Sequence, residues 1–422
     1  MDRLFVTGGA RLAGAISISG AKNSALKLMA ASLLAPGRSV LRNVPRIQDC
    51  ATMGDVLEHL GAAVVWTEDG VVVDATTLSS VEAPYELVRR MRASIAVLGP
   101  LLARTGEAKV ALPGGDNIGS RPIDLHLDGL RKMGAEIESE HGFLVATADG
   151  LTAASITLDY PSVGATENLL MAAVLADGIS VIDNAAREPE IADLAAFLDA
   201  MGAGIHGAGS ATIEIEGVDA LVPAEHTAIP DRIEAGTWAA AAVATSGDVV
   251  LRGARPEHLE LYLEKLGEGG AEIRMTDDGL RIRQADRPGA ADFVTLPYPG
   301  IATDFQPILL AMLATASGTS IATENVFEGR FTYVDELRRM GADIRTEGHH
   351  AVIRGVERLS AAPVRAMDIR AGAAMAIAAL TADGVSEIAD VEHVDRGYED
   401  FEGKLAALGA EVRRDPELVR LP

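Results

Sequence analysis

Hydrophobic and polar positions along this chain follow one phrase pair, repeated six times. The first phrase is an apolar, helix-like run that breaks at or near a glycine and continues as a β-branched stretch, as in LLAPGRSVLRNV, LLARTGEAKVAL, VLADGISVIDNA, AVATSGDVVLRG, MLATASGTSIAT and LTADGVSEIADV. The second is an amphipathic run that closes on glycine, alanine and an apolar residue, as in VLEHLGAAV, GLRKMGAEI, FLDAMGAGI, KLGEGGAEI, LRRMGADI and LAALGAEV. Glycines of the second phrase fall at Gly61, Gly134, Gly202, Gly270, Gly341 and Gly409, with spacings of 73, 68, 68, 71 and 68. A period of about 70 residues marks a sixfold repeat.

Within one repeat the pattern predicts elements. From Asn23 to Ala35 an Ala/Leu/Met/Lys run predicts a helix, broken at Pro36-Gly37 before the strand-like SVLRNV. Val56, Leu57 and Leu60 then share one helical face, and Gly61 suits the left-handed position that ends a helix. AVVW and GVVVDA predict two strands around a turn at EDG. Each repeat therefore reads as helix, strand, helix, strand, strand, and six of them make an α/β protein of repeated modules.

Length changes the picture by exceeding one core: 422 residues fit two domains of three repeats each. Hydrophobic residues make up 48% and aromatics 4%, so the core is expected to be aliphatic. The single cysteine, Cys50, rules out an internal disulfide framework. MDRLFVTGG lacks the apolar run of a signal peptide, and no segment reaches the roughly 18 apolar residues of a membrane helix. A cytoplasmic protein, not a membrane one, is the expectation. A formal net charge of −24 argues against a nucleic-acid partner, because duplex binding rests on a basic surface.

Against that acidic background, basic residues in glycine- or proline-rich contexts become candidates for holding a small anion. In SGAKNSALK, Lys22 and Asn23 stand where a strand gives way to a helix N-terminus, a position suited to anions or simply to a cap. LPGGDNIGSRP gathers glycines, Asp116 and Arg121 in a segment too irregular for a regular element. Asp304, in ATDFQP, precedes a helix and by itself reads as an N-cap. Arg330, Arg370 and Arg396, each taken singly, read as surface ion-pair residues. His349-His350 has no partner at metal-ligand spacing, and the GEGG run lacks the lysine of a nucleotide loop, so neither points to a metal or nucleotide-loop site.

SGAKN, MRAS, LGPLLAR, LPGGDNIGSRP, DLH, PSVGATEN, NAAREPEI, DRIEAGT, ATDFQ, TENVFEGRF and HVDRGYE occur in the order and spacing of the enolpyruvyl transferases, and the whole chain resembles that family. The resemblance implies two inside-out α/β barrel domains, each of three repeats. One is discontinuous, residues 1–21 and 230–422, and the other is 22–229, with the active site in the cleft between them. It implies transfer of the enolpyruvyl group of phosphoenolpyruvate to the 3′-hydroxyl of UDP-N-acetylglucosamine, without cofactor or metal. Lys22, Arg121 and Arg396 match residues that hold phosphoenolpyruvate, with Arg330 and Arg370 in the same cationic set. Asp304 matches the base and Asp116 the proton donor. Asn23, Arg92, Arg121, Pro122, Ile123, Asp124, Leu125, Ser162, Val163 and Val326 match positions lining the nucleotide-sugar site. Many members carry cysteine where this chain has Asp116, a change that implies resistance to thiol-alkylating fosfomycin. Ala96 and Tyr160 also depart from common residues. A sister activity on shikimate 3-phosphate, and a binding paralogue without catalysis, are the alternatives.

Overall fold

The computed structural model describes residues 2–112, 119 and 122–415, and these fall into two compact units. One, the flanking unit, is formed by residues 2–19 and 230–415; the other, the middle unit, by 20–112 and 122–229.

Each unit contains three four-stranded sheets among the described residues. In the middle unit, Glu225–Thr227 runs parallel to Arg38–Arg42, which continues antiparallel into Gly70–Asp74 and then Ala63–Thr67. The same order recurs from Glu82–Ala83 through Glu107–Ala111 and from Ser155–Thr157 through Ile179–Asp183. The repeat thus begins with a short parallel strand that the hydrophobic pattern does not predict. These leading strands are two or three residues long at Glu82–Ala83, Ser155–Thr157 and Glu225–Thr227, too short to express alternation.

Strand pairing also explains why the first residues belong with the last. Ala13–Ser17 is the leading parallel strand for Asp248–Arg252. Arg3–Thr7 lies between Val385–Ala389 and Val412–Asp415, supplying the strand the sixth repeat lacks. Glu225–Thr227, just before the chain returns, completes the first sheet of the middle unit. Both units are closed by strands donated from a distant part of the chain.

Sheets lie outside and helices inside, because the two phrases bury different amounts of surface. In the flanking unit every residue of Arg232–Ala244, Phe305–Leu313 and Ile369–Leu380 is buried, and the three helices pack on one another. A helix apolar all round belongs in a core. Small residues permit the close approach: a Cβ on Gly236 would meet the Phe305 ring at 2.3 Å. The second phrase gives one-sided helices; in Gln48–His59, Val56 and Leu57 are wholly buried while Asp55 and Glu58 are exposed. All six glycines that end this phrase have φ between 91° and 106°, the left-handed closing position anticipated from sequence. Among the described residues no helix is long and apolar enough to cross a membrane.

Candidate functional site

Lys22 opens the helix Lys22–Ala31 in the middle unit, and it is buried. Its Nζ lies 2.7 Å from Asp49 Oδ2, a residue whose side chain is only 4% exposed. Two residues further, Ser24 Oγ donates to Asp193 Oδ2, which also accepts from Ile229 N at 3.3 Å, while Asp193 Oδ1 meets His226 Nε2 at 2.8 Å. Asp193 therefore ties the N-terminal turn that carries Lys22 and Asn23 to the returning strand. The sequence reading missed both Asp49 and Asp193.

Ser162 caps the helix Val163–Ala173, its Oγ accepting from Ala165 N at 3.3 Å. Pro122 and Ile123 lead into the helix Asp124–Lys132, with Asp124 and Leu125 in its first turn. His126 and Asn168 bind these helices together. Asn168 Oδ1 accepts from Gly99 N at 2.8 Å, and its Nδ2 donates to Ile95 O and to His126 Nδ1, both at 3.0 Å. Burial, reinforced by Arg92 and Lys27, pushes the imidazole down to about 4, so His126 is neutral at working pH. With Nδ1 accepting, its proton sits on Nε2, which faces Gly164, where an added Cβ would lie 3.2 Å away. Arg92 opens a short 3-10 turn, Arg92–Val97, close enough to His126 to act on its charge.

The flanking unit gathers the other candidates. Asp304 precedes the helix Phe305–Leu313 but its side chain makes no cap hydrogen bond. Instead Asp304 Oδ1 accepts from Arg370 Nε at 2.8 Å, an ion pair in which Arg370 is 4% exposed and Asp304 31%. Burial alone would raise this carboxyl; Arg370, then Arg330 and Arg232, outweigh it and hold Asp304 well below the usual carboxylate range. The readings of Arg330 and Arg370 as surface ion pairs do not hold. Both are buried, and Arg330 Nε and Arg370 Nη1 have no hydrogen-bond partner among the described residues. Two guanidinium N–H groups kept from water without an acceptor are costly, and their chemistry suits an anionic acceptor.

Surrounding groups hold this cluster in place. Asp368 accepts from Arg370 N and Ala371 N and fixes the start of that helix. The Arg370 guanidinium stands over the Tyr398 ring at 5.2 Å, and Tyr398 Oη meets Thr237 Oγ1 at 2.9 Å. Arg396 ends the short helix Glu392–Asp395, two residues before Tyr398. Val326 is positioned through Glu324, whose Oε1 accepts from Val326 N and Phe327 N and whose Oε2 accepts from Thr303 Oγ1 beside Asp304. Glu324, buried within the TENVFEGRF motif, is a further residue the sequence reading passed over. His349 and His350 take ordinary partners, Glu324 O and Thr323 Oγ1, and no metal-binding cluster occurs among the described residues. Asp116 and Arg121 lie outside the described residues.

With buried anion-seeking arginines beside a carboxylate in one unit, and a buried lysine at a helix N-terminus in the other, relatives can be set beside the geometry. The family model for EPSP synthase (3-phosphoshikimate 1-carboxyvinyltransferase) matches residues 6–405. The chain belongs to this enolpyruvyl transferase family. Among its relatives, a UDP-N-acetylglucosamine 1-carboxyvinyltransferase of Corynebacterium jeikeium is 56% identical over 415 residues, 98% of this chain and 99% of the relative. One of the same name from Nocardia farcinica is 54% identical over 419 residues, 98% of each chain. The crystal structure of the enolpyruvyl transferase NikO from Streptomyces tendae is similar with a TM-score of 0.88 at 27% identity, covering 98% of both chains. EPSP synthase from Acinetobacter baumannii has a TM-score of 0.76 at 18% identity over 99% of this chain and 100% of that one, a likeness of fold alone.

Proposed function

We infer that this enzyme transfers the enolpyruvyl group of phosphoenolpyruvate to the 3′-hydroxyl of UDP-N-acetylglucosamine and releases phosphate. The observation that carries the chemistry is the Asp304–Arg370–Arg330 cluster, in which a carboxylate sits against two buried arginines with unmet N–H donors. Full-length relatives at 52–56% identity that bear the name of this activity support the choice of acceptor over shikimate 3-phosphate. Identity to the EPSP synthase structures is only 18–19%.

In this reading Arg330 and Arg370 take the carboxylate of phosphoenolpyruvate, and Lys22, Arg121 and Arg396 its phosphate. Asn23, Arg92, Pro122, Ile123, Asp124, Leu125, Ser162, Val163 and Val326 line the nucleotide-sugar site. Asp304 accepts the proton of the sugar hydroxyl as its oxygen attacks C2 of phosphoenolpyruvate, and Asp116 delivers a proton to C3. Phosphate then leaves C2 as a proton leaves C3, restoring the double bond.

A carboxylate held far below its ordinary range is a poor base, so the resting arrangement needs a trigger. The substrate supplies it: when its carboxylate engages the arginines, their charge is partly neutralised and the pull on Asp304 weakens. Base strength thus rises only when phosphoenolpyruvate is bound. Fixed cations that need not reorganise are the larger part of the rate enhancement. Phosphate release from phosphoenolpyruvate, followed with and without UDP-N-acetylglucosamine, tests the function; release supported by shikimate 3-phosphate and not by the nucleotide sugar would overturn it.

A further inference from the structure

Beneath the two helix N-termini of the middle unit lies an ion pair that the proposed reaction does not use. Lys27 Nζ, on the helix Lys22–Ala31, stands 2.6 Å from Glu167 Oε2 on the helix Val163–Ala173, with side-chain exposures of 11% and 1%. Lys27 is one helical turn after Asn23, and Glu167 one turn after Val163, so the pair sits directly below the turns that carry the candidate nucleotide-sugar residues. Lys27 is the cation paired with the carboxylate, and neither Glu167 oxygen has a further hydrogen-bond partner among the described residues.

Such a pair is an expensive choice for a core. Its two helices are otherwise rich in Ala, Leu and Met, and apolar residues of similar size would fill the space without removing two charges from water. What an ion pair adds is a fixed register between its partners, since its attraction depends steeply on one geometry. Neighbouring bonds fix the Glu167 side of the pair: Thr166 Oγ1 accepts from Ala186 N, and Asn168 holds Gly99, Ile95 and His126.

We propose that the Lys27–Glu167 pair is a positioning element for the nucleotide sugar, fixing the N-terminal turn that carries Lys22 and Asn23 against the one that carries Ser162 and Val163. The proposal rests on the reading of these turns as the nucleotide-sugar site. The pair is also sensitive to protons. Burial is the main influence on Glu167, Lys27 opposes it, and Glu190 and Glu188 from the adjoining helix reinforce it, leaving the carboxyl pushed up to about 7. His126, itself neutral, lies near enough to Lys27 and Arg92 for both to act on its charge. Below about pH 7 Glu167 carries a proton and the charge-charge restraint on Lys27 is lost.

The test is steady-state phosphate release in Glu167→Gln, and in the double variant Lys27→Met with Glu167→Leu, across pH 6 to 8.5. In the wild type KM for UDP-N-acetylglucosamine should rise as pH falls through about 7. In Glu167→Gln it should be raised about tenfold at pH 8, midway in the range over which contacting residues couple, and show no such dependence. kcat at saturation should stay within about twofold, which general damage to the fold would not preserve. The double variant keeps the core filled and should show the same raised, pH-independent KM even if the single variant folds poorly. Wild-type KM and wild-type pH dependence in both variants would overturn the positioning role. A wild type that releases no phosphate with this sugar would instead overturn the function, and isothermal titration of the sugar into both variants would then decide the pair's role by binding alone.

Discussion

Replacing Arg370 with Met isolates the cluster around Asp304, because it removes the direct partner and leaves Arg330 and Arg232 as the remaining cations acting on the carboxylate. Methionine keeps the bulk in a helix that is otherwise wholly buried. A charge-assisted contact is worth about 1.5–3 kcal/mol, so if Arg370 binds the carboxylate of phosphoenolpyruvate, kcat/KM for that substrate should fall roughly 10- to 150-fold. The sign of the pH effect follows from the depressed carboxyl of Asp304. A depressed acid contributes stability that is present above its ordinary value near 4 and is lost as pH falls through its folded value. In Arg370→Met that folded value moves up toward the unfolded one, so less stability is lost on acidification, and melting temperatures at pH 4 and pH 7 should lie closer together than in the wild type. Stopped-flow or coupled measurement of phosphate release at varied phosphoenolpyruvate, with melting curves on the same samples, gives both quantities. A kcat/KM within twofold of wild type in a folded Arg370→Met protein would refute the assignment, and Arg370→Lys serves as the control for charge without the fork.

Asp116→Asn should bind UDP-N-acetylglucosamine while losing most turnover, and Asp116→Cys should keep activity and acquire a covalent fosfomycin adduct visible by mass spectrometry, because a thiolate alkylates where a carboxylate resists. An adduct on the natural protein would refute this. Lys22→Ala should lower kcat/KM for phosphoenolpyruvate by roughly 10- to 150-fold; adding Asp49→Ala should restore melting temperature without restoring turnover, since it removes the carboxylate left without Lys22. Asp193→Ala strips the acceptor from Ser24, His226 and Ile229 N and should destabilise the protein by about 2–4 kcal/mol in denaturant titration, an effect absent if that network is incidental.

Much of the fold is written in short-range signals. The second-phrase glycines mark their helix ends because a left-handed closing residue is a local requirement, met at all six positions. The leading strands escape because two or three residues carry no period, and because their partners are set by closure of the unit; Glu225–Thr227 pairs with Arg38–Arg42 although nearly the whole middle unit lies between them. The same division separates the legible from the illegible at the site. Gly- and Pro-rich contexts drew attention to Lys22, Arg330 and Arg370, but the pattern around Asp304 reads as an N-cap, and the partner that diverts its carboxylate stands 66 residues away.

Lys27 and Glu167 show what a stricter reading of polarity would recover. Each stands inside a run whose other members are mostly buried, where a lone charge has no local reason to be. Two such anomalies, one per helix, are a long-range statement: a charge inside a core must find its opposite, and the candidates are few. Glu234 makes the same argument in the flanking unit. It lies in a fully buried helix, burial raises its carboxyl, and it meets Lys404 Nζ, Trp238 Nε1 and Ser19 N, the last at 2.8 Å. Misplaced charges in apolar helices therefore mark, in both units, where one segment of chain is held to another. The buried arginines differ in one respect that bears on function: Glu234 is satisfied within the protein, whereas Arg330 and Arg370 keep N–H groups for which the described residues offer no acceptor. In the proposed reaction those donors are what the carboxylate of phosphoenolpyruvate satisfies, which separates them from a buried charge that serves only the architecture.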